Sequence, residues 1–422
     1  MKKFVALMLV LCVIFAGLAG YFSAGESGVS TPTVSGDEYT DPVVVPDPAD
    51  KEEAGSEAAG EDAEPAENVS QVRSLDYEAI YALHAPEDVA VTVNGQEVTW
   101  DRYFYVLYST AMQIEDYFQA MAGYYGIVED WADPVEEGGT ETYARMAVEM
   151  AEDTILQLCA IEGFARENGV SLTADNRAEI EAQLQADIEG ACGEGATEAD
   201  FAAYLSDIYM SLDTYNWINE TNYLYQQNYI QLYGETGELY GDEAAMAWLE
   251  DNGYLSASHI LLMTMDPSTG EALEEADAAA KRAQAEELLA ELQAIEDPEA
   301  RAARFKELKE EFCEDSGKTA YPDGYTFTPG TMVPEFEDAV NALEDYEISG
   351  IVESVYGYHI ILRLPLDVES VIEFSSDGTP MDARSIASNE EYGARLQAYY
   401  DDLDVEFAEG VEGIDLLSYI AQ

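Results

Sequence analysis

An α+β fold is the class this 422-residue sequence predicts, on three observations. Two β-branched or leucine-rich runs, Ala257-Ser258-His259-Ile260-Leu261-Leu262 and Tyr358-His359-Ile360-Ile361-Leu362, have the length and composition of buried strands. A third run, Val89 to Thr99, is split by Asn94-Gly95, a pair that reads as the two-residue turn of a hairpin. Long stretches of helical character surround these strands, and the length allows two or three domains, each with its own core.

Taken in order, the chain opens with Met1-Lys2-Lys3 and an apolar run from Phe4 to Phe22, so 1–24 reads as an export signal or a membrane anchor. Gly17 and Ala19 suit cleavage after Ala19, and the run is nearly long enough to span a bilayer, so both readings stay open. Cys12 lies inside the apolar run behind Leu11, which excludes a lipoprotein signal. Residues 25–74 are Gly, Ser, Pro, Ala and acid, which reads as a disordered, charge-extended linker.

From 75 to 255 the expected elements are the hairpin and helices at Trp100–Met121, Glu141–Asn168, Thr173–Ala191, Glu198–Ile230 and Asp242–Asp251. Thr173 and Thr197 are candidate N-caps, and Gly169 is a candidate stop. Eight aromatics punctuate the later helices: Tyr204, Tyr209, Tyr215, Trp217, Tyr223, Tyr225, Tyr229 and Tyr233. They suit ordinary helix packing, or a cradle for unfolded chains. After the second histidine-led strand, Val368–Ser385 reads as irregular, Ile386–Asp402 as helical, and Leu403–Gln422 as a strand-like piece and a final helix.

Charge narrows the function. With 18 basic against 87 acidic side chains the formal net charge is −69, and no Lys or Arg occurs between Ala178 and Ala280. Such a surface repels nucleic acid phosphates and anionic lipid, and favours solubility in a salty exterior or contact with basic chains and cations. Cys159, Cys192 and Cys313 have no metal-like spacing; a Cys159–Cys192 disulfide and free thiols both remain open. With no CxxC pair, phosphate loop or histidine cluster, no cofactor or metal is expected.

The chain has only three histidines, and two of them, His259 and His359, head the matched strands. Between them stands Gly330-Thr331-Met332-Val333-Pro334-Glu335-Phe336-Glu337. This set resembles the parvulin-type peptidyl-prolyl isomerase domain over 256–364. The resemblance implies a parvulin-like four-stranded antiparallel sheet with surrounding helices. It assigns catalytic positions to His259, Asp315, His359 and Ser354, and a proline-binding slot to Phe327, Met332 and Phe336. A carboxylate at 315 would polarise the substrate carbonyl region or tune the histidines. Each residue also has a plainer reading: a core histidine, a Met–Phe pair at helical spacing, an Asp capping Ser316-Gly317, a hydroxyl at a strand end.

One departure concerns the family's Gly-Asp-Leu-Gly-type turn, which here reads Pro322-Asp323-Gly324-Tyr325. Gly324 stands where a leucine often lines the slot, leaving it shallower or filled by Tyr325. The loop Met265–Glu271 has no basic residue, against a phosphate-directed preference.

The region before this domain, a hairpin and then long helices, is similar in order to the chaperone part of PrsA- and SurA-type foldases. That similarity implies a mostly α-helical chaperone domain formed from N- and C-terminal segments, 75–255 and 366–422, with the parvulin-like domain at 256–365. The expected function is isomerisation of X-Pro bonds in newly exported polypeptides, together with holding them unfolded, outside the cell membrane or anchored on its outer face. Membrane contact is expected only through the N-terminal segment, no nucleic acid partner is expected, and dimerisation is left open. The rival readings are a non-enzymatic chaperone with an inactive parvulin-like module, and a wall-linked, cation-collecting structural protein.

Overall fold

The computed structural model describes residues 72–421 other than 137 and 377, so the segment read as an export signal or membrane anchor and nearly all of that read as a linker lie outside the described residues. The described chain forms two compact units, 72–231 with 392–421, and 232–391.

The first unit opens with α1 (Tyr77–Tyr81) and the hairpin β1 (Val89–Val93) and β2 (Gln96–Thr99). Asn94 and Gly95 have φ of 49° and 78°, the paired positive angles that a two-residue hairpin turn needs. Helix α2 (Trp100–Ala120) follows, its last turn loosening into a π-type segment, Met121–Tyr125. Then come α3 (Tyr143–Glu167) and α4 (Ala174–Cys192). Thr173 and Asn176 cap α4 reciprocally, each side chain taking the other's backbone N–H. Thr173→Ala should therefore cost about 1 kcal/mol in urea unfolding of the first unit.

The single helix expected over Glu198–Ile230 is two, α5 (Glu198–Ser206) and α6 (Leu212–Tyr233). Tyr209 sits between them at φ 57°, an uncommon conformation for a residue with a side chain. Its ring is held against Tyr81, Phe104 and Tyr108, with centroids 5.2–5.3 Å away. Ser211 then caps α6 by accepting the Thr214 N–H, and both hydroxyls reach Asp101. Tertiary aromatic packing has overridden a helical pattern. Of the eight aromatics from Tyr204 to Tyr233, Tyr215, Trp217 and Tyr233 are buried and the other five are half-buried, with Tyr225 and Tyr229 packed edge-on against Tyr392.

The second unit carries α7 (Asp242–Asp251), β3 (Leu255–Met263), α8 (Glu275–Gln293), α9 (Pro298–Phe312), β4 (Tyr325–Phe327), α10 (Pro334–Asn341), β5 (Ile348–Ser354) and β6 (Gly357–Leu364). The four strands form one antiparallel sheet in the order β4-β3-β6-β5. Strand β3 is buried on both faces, which is why its sequence is a continuous apolar run and not an alternation. Ile260, Leu262, Ile360 and Leu362 pack under Leu288, Leu292, Phe305 and Leu308 of α8 and α9. Ala257 and Ile361 on the other face pack with Phe336 and Val340 of α10.

This unit is wider than 256–365 because Ala245 and Leu249 of α7 share a core with Val368 and Ala383. The stretch expected to be irregular after 368 contains a short hairpin, β7 (Glu373–Phe374) and β8 (Pro380–Met381), before α11 (Ala383–Asp401).

Strand β9 (Val405–Phe407) then pairs with β1, giving the first unit a three-stranded sheet β2-β1-β9. The final helix expected before Gln422 is one 3-10 turn, Leu416–Tyr419. Cys159, Cys192 and Cys313 are free thiols. Among the described residues no helix is long and apolar enough to cross a membrane.

Candidate active site

The sheet brings the two histidines together. In the antiparallel β3–β6 register His259 faces Ile361 and His359 faces Leu261, so the histidines are diagonal neighbours on one face. Their rings stack with centroids 5.2 Å apart, and Nδ1 lies 3.0 Å from Nδ1. Both are buried, at 7% and 3% exposure, so each ring nitrogen needs a partner.

Asp315 supplies one partner, its Oδ2 lying 2.9 Å from His259 Nε2. The carboxylate is placed by a strap tied to β3: Glu314 N–H donates to Leu261 O, Leu261 N–H donates to Cys313 Sγ, and Met263 N–H donates to the Glu314 side chain. Asp315 also caps the short 3-10 turn at Ser316, accepting the Gly317 N–H at 3.0 Å. One carboxylate thus both caps this turn and meets the histidine pair. Ser354, at the end of β5, supplies the last partner, with Oγ 2.7 Å from His359 Nε2, and accepts the Tyr356 N–H at 3.1 Å.

One assignment of protons satisfies every partner in the chain. An ionised carboxylate only accepts, so His259 presents Nε2–H to Asp315, and with its Nδ1 as acceptor His359 donates from Nδ1–H. His359 Nε2 then accepts from the Ser354 hydroxyl. Burial, reinforced by the neighbouring His259, pushes the His359 imidazole down to about 3, so it is neutral at physiological pH. Burial alone would raise the Asp315 carboxyl, but the hydrogen bonds from His259, Tyr325 and Gly317 outweigh it and hold the group well below the usual carboxylate range.

Against this polar floor stands an apolar wall. Phe336 is 3% exposed and meets both histidines edge-on, with centroids 5.3 and 5.8 Å away. Phe327 tilts against Phe336 at 5.9 Å, and Met332 packs on the same cluster, half-buried. The seven residues singled out from the sequence therefore fall in one place.

Three residues not assigned to the site from the sequence also shape it. Glu337 accepts the N–H groups of Gly330 and Met332 at 2.8 and 2.9 Å, folding the loop that presents Met332. Tyr325 donates its hydroxyl to Asp315 Oδ2, and Gly317 gives that hydroxyl room. Glu337 was visible as an acid in the first turns of a helix behind Gly-Thr-Met, whereas the Tyr325–Gly317 contact leaves no local signal.

Gly324 does not line the slot. It has φ 131°, and a Cβ there would lie 2.7 Å from Ala257 O and 2.9 Å from Leu364 Cδ1. The missing leucine thus reflects a turn pressed onto β3, while Tyr325 donates to the carboxylate and packs, partly buried, on the same apolar cluster as Met332. Buried Lys309, its charge disfavoured by desolvation, donates to the carbonyls of Tyr321 and Pro322 and anchors that turn.

The histidine pair and the carboxylate, with most of the sheet that carries the histidines, lie within the stretch that matches a parvulin-type family. The rotamase family, described as the PPIC-type PPIase domain, matches residues 259–364. The chain is PrsA- and SurA-like: it is 37% identical over 126 residues to the foldase protein PrsA of Halalkalibacterium halodurans, covering 29% of this chain and 31% of the relative. It is 43% identical over 58 residues to the chaperone SurA of Alkalilimnicola ehrlichii, covering 14% of this chain and 13% of the relative. The chain thus spans less than a third of the length of these curated relatives. Among solved structures, PrsA from Bacillus subtilis is similar at 19% identity and a TM-score of 0.22, over 63% of this chain and 85% of that one.

Proposed function

We propose that the chain is an extracytoplasmic foldase that turns X-Pro bonds in exported polypeptides and holds those clients while they fold. The observation that carries this reading is the closed hydrogen-bond chain from Ser354 through His359 and His259 to Asp315, laid under an aromatic wall.

Rotation about a peptide C–N bond faces a barrier of roughly 18–20 kcal/mol because it breaks amide resonance. No bond to carbon forms or breaks, so neither nucleophile nor general acid is demanded. All four histidine nitrogens are engaged within the chain, which suits a rigid floor better than a proton shuttle. Phe336, Phe327 and Met332 offer an apolar bed for the proline ring. The twisted amide has lost its charge-separated resonance form, so a poorly polar surrounding favours it over the planar ground state. The barrier falls by differential solvation, with the floor fixing where the ring sits.

The test is cis-to-trans conversion of an Ala-Pro or Glu-Pro peptide by the full protein beside His259→Ala and Asp315→Ala. Each substitution strands a buried partner of the chain, so each should lower kcat/KM by about tenfold or more. A folded protein that never exceeds the uncatalysed rate would leave a binding module. The holding role draws on the chaperone relatives, and His259→Ala should leave suppression of client aggregation unchanged.

A further inference from the structure

We propose that Tyr325 and Gly317 form a latch that positions Asp315 against His259: the phenol enters the space that Gly317 leaves open and locks the carboxylate as the acceptor of the histidine pair. The inference rests on the isomerase reading for its kinetic consequence and stands on geometry otherwise.

Three donors converge on Asp315. Tyr325 OH reaches Oδ2 at 2.5 Å, His259 Nε2 reaches the same oxygen at 2.9 Å, and the Gly317 N–H reaches Oδ1 at 3.0 Å. A carboxylate with one donor could rotate and still keep it; three donors in fixed directions leave one orientation. The phenol itself is held from behind. Tyr321 packs on it with centroids 4.9 Å apart, and Lys309 ties the carbonyls of Tyr321 and Pro322 to α9.

Gly317 is the second half of the device. A Cβ there would stand 2.1 Å from the Tyr325 hydroxyl, while its next contacts are Tyr325 Cζ at 3.2 Å and Asp315 Oδ2 at 3.4 Å. Its backbone lies in the 3-10 turn, outside the left-handed region, so alanine would strain nothing except the phenol. The turn sequence Pro322-Asp323-Gly324-Tyr325 thus gains a purpose: it delivers a tyrosine to the space that Gly317 leaves beside the carboxylate. Tyr325 is a positioning residue, acting on the histidine pair through Asp315.

Tyr325→Phe keeps the ring and removes the donor; Gly317→Ala keeps the donor and fills its seat. The full-length protein labelled at histidine nitrogen shows only three imidazoles, so the His259 Nε2–H signal can be followed directly. Both variants should move that signal, lower kcat by about three- to tenfold and leave KM near its original value. The double variant should be no worse than either single one, since both break the same bond.

Additive losses, or a His259 signal unmoved by Tyr325→Phe, would overturn the latch. If the wild-type protein shows no isomerase activity while both variants still shift the His259 signal, the isomerase reading falls and the positioning stands.

Discussion

Taking the protein from pH 7 to pH 4 should remove about 3 kcal/mol from the stability of the 232–391 unit through His359 alone. The folded imidazole resists its proton down to about 3, whereas an unfolded histidine takes one near its ordinary value of about 6.5. Between those values the unfolded chain binds more protons than the folded one, so stability falls as pH falls; above about 6.5 it is flat. Asp315, depressed in the fold, contributes in the same direction but only at lower pH, as its carboxylate is lost. Relief of self-repulsion among the 87 acidic side chains works the opposite way and must be cancelled by comparison.

Denaturant unfolding of the full chain beside His359→Asn, read at the transition of this unit at pH 7 and pH 4, does so. The difference between the two proteins should change by about 3 kcal/mol, nearly all of it below about pH 6.5. A constant difference would mean that His359 accepts a proton in the folded state at its ordinary value, and the directed chain from Ser354 to Asp315 would be wrong.

The sheet was legible because β3 and β6 are buried on both faces or nearly so, and such strands announce themselves as apolar runs. Their pairing was legible only through the resemblance, since nothing local tells His259 that it lies diagonal to a residue 100 positions away. The hairpin turn at Asn94-Gly95 was legible because its two positive φ values restrict the residues that can stand there. The partner of that hairpin, β9, was not: three residues with a weak pattern pair across more than 300 positions of sequence. The break at Tyr209 was hidden for the opposite reason, a continuous helical pattern interrupted by three rings contributed from elsewhere in the first unit. In the site, the residues named by chemistry lie together, while the contact between Tyr325 and Gly317, made by shape, left no signal in the sequence.

Gly357→Ala should cost about 3 kcal/mol or more and, with it, the order of the histidine pair. The glycine begins β6 at φ 146°, a region closed to residues with a side chain. A Cβ there would stand 2.2 Å from Leu262 O and 2.9 Å from Met263 Cα, and both are backbone atoms of the neighbouring strand. No rotamer change relieves that contact; β3 and β6 would have to part at the Met263–Gly357 pair. The same hairpin carries Ser354, the Tyr356 N–H and His359, so parting the strands there breaks the hydrogen-bond chain from its donor end.

Gly350→Ala is the control, because Gly350 also lies in β5–β6 yet a Cβ added there meets nothing within 4 Å. It should be neutral to within about 0.5 kcal/mol. Equal stabilities for the two alanine variants would show that the tight approach at Gly357 is not the constraint on this hairpin. A large loss at Gly357 alone, accompanied by a shifted His359 imidazole signal, would tie the strand geometry to the floor of the site.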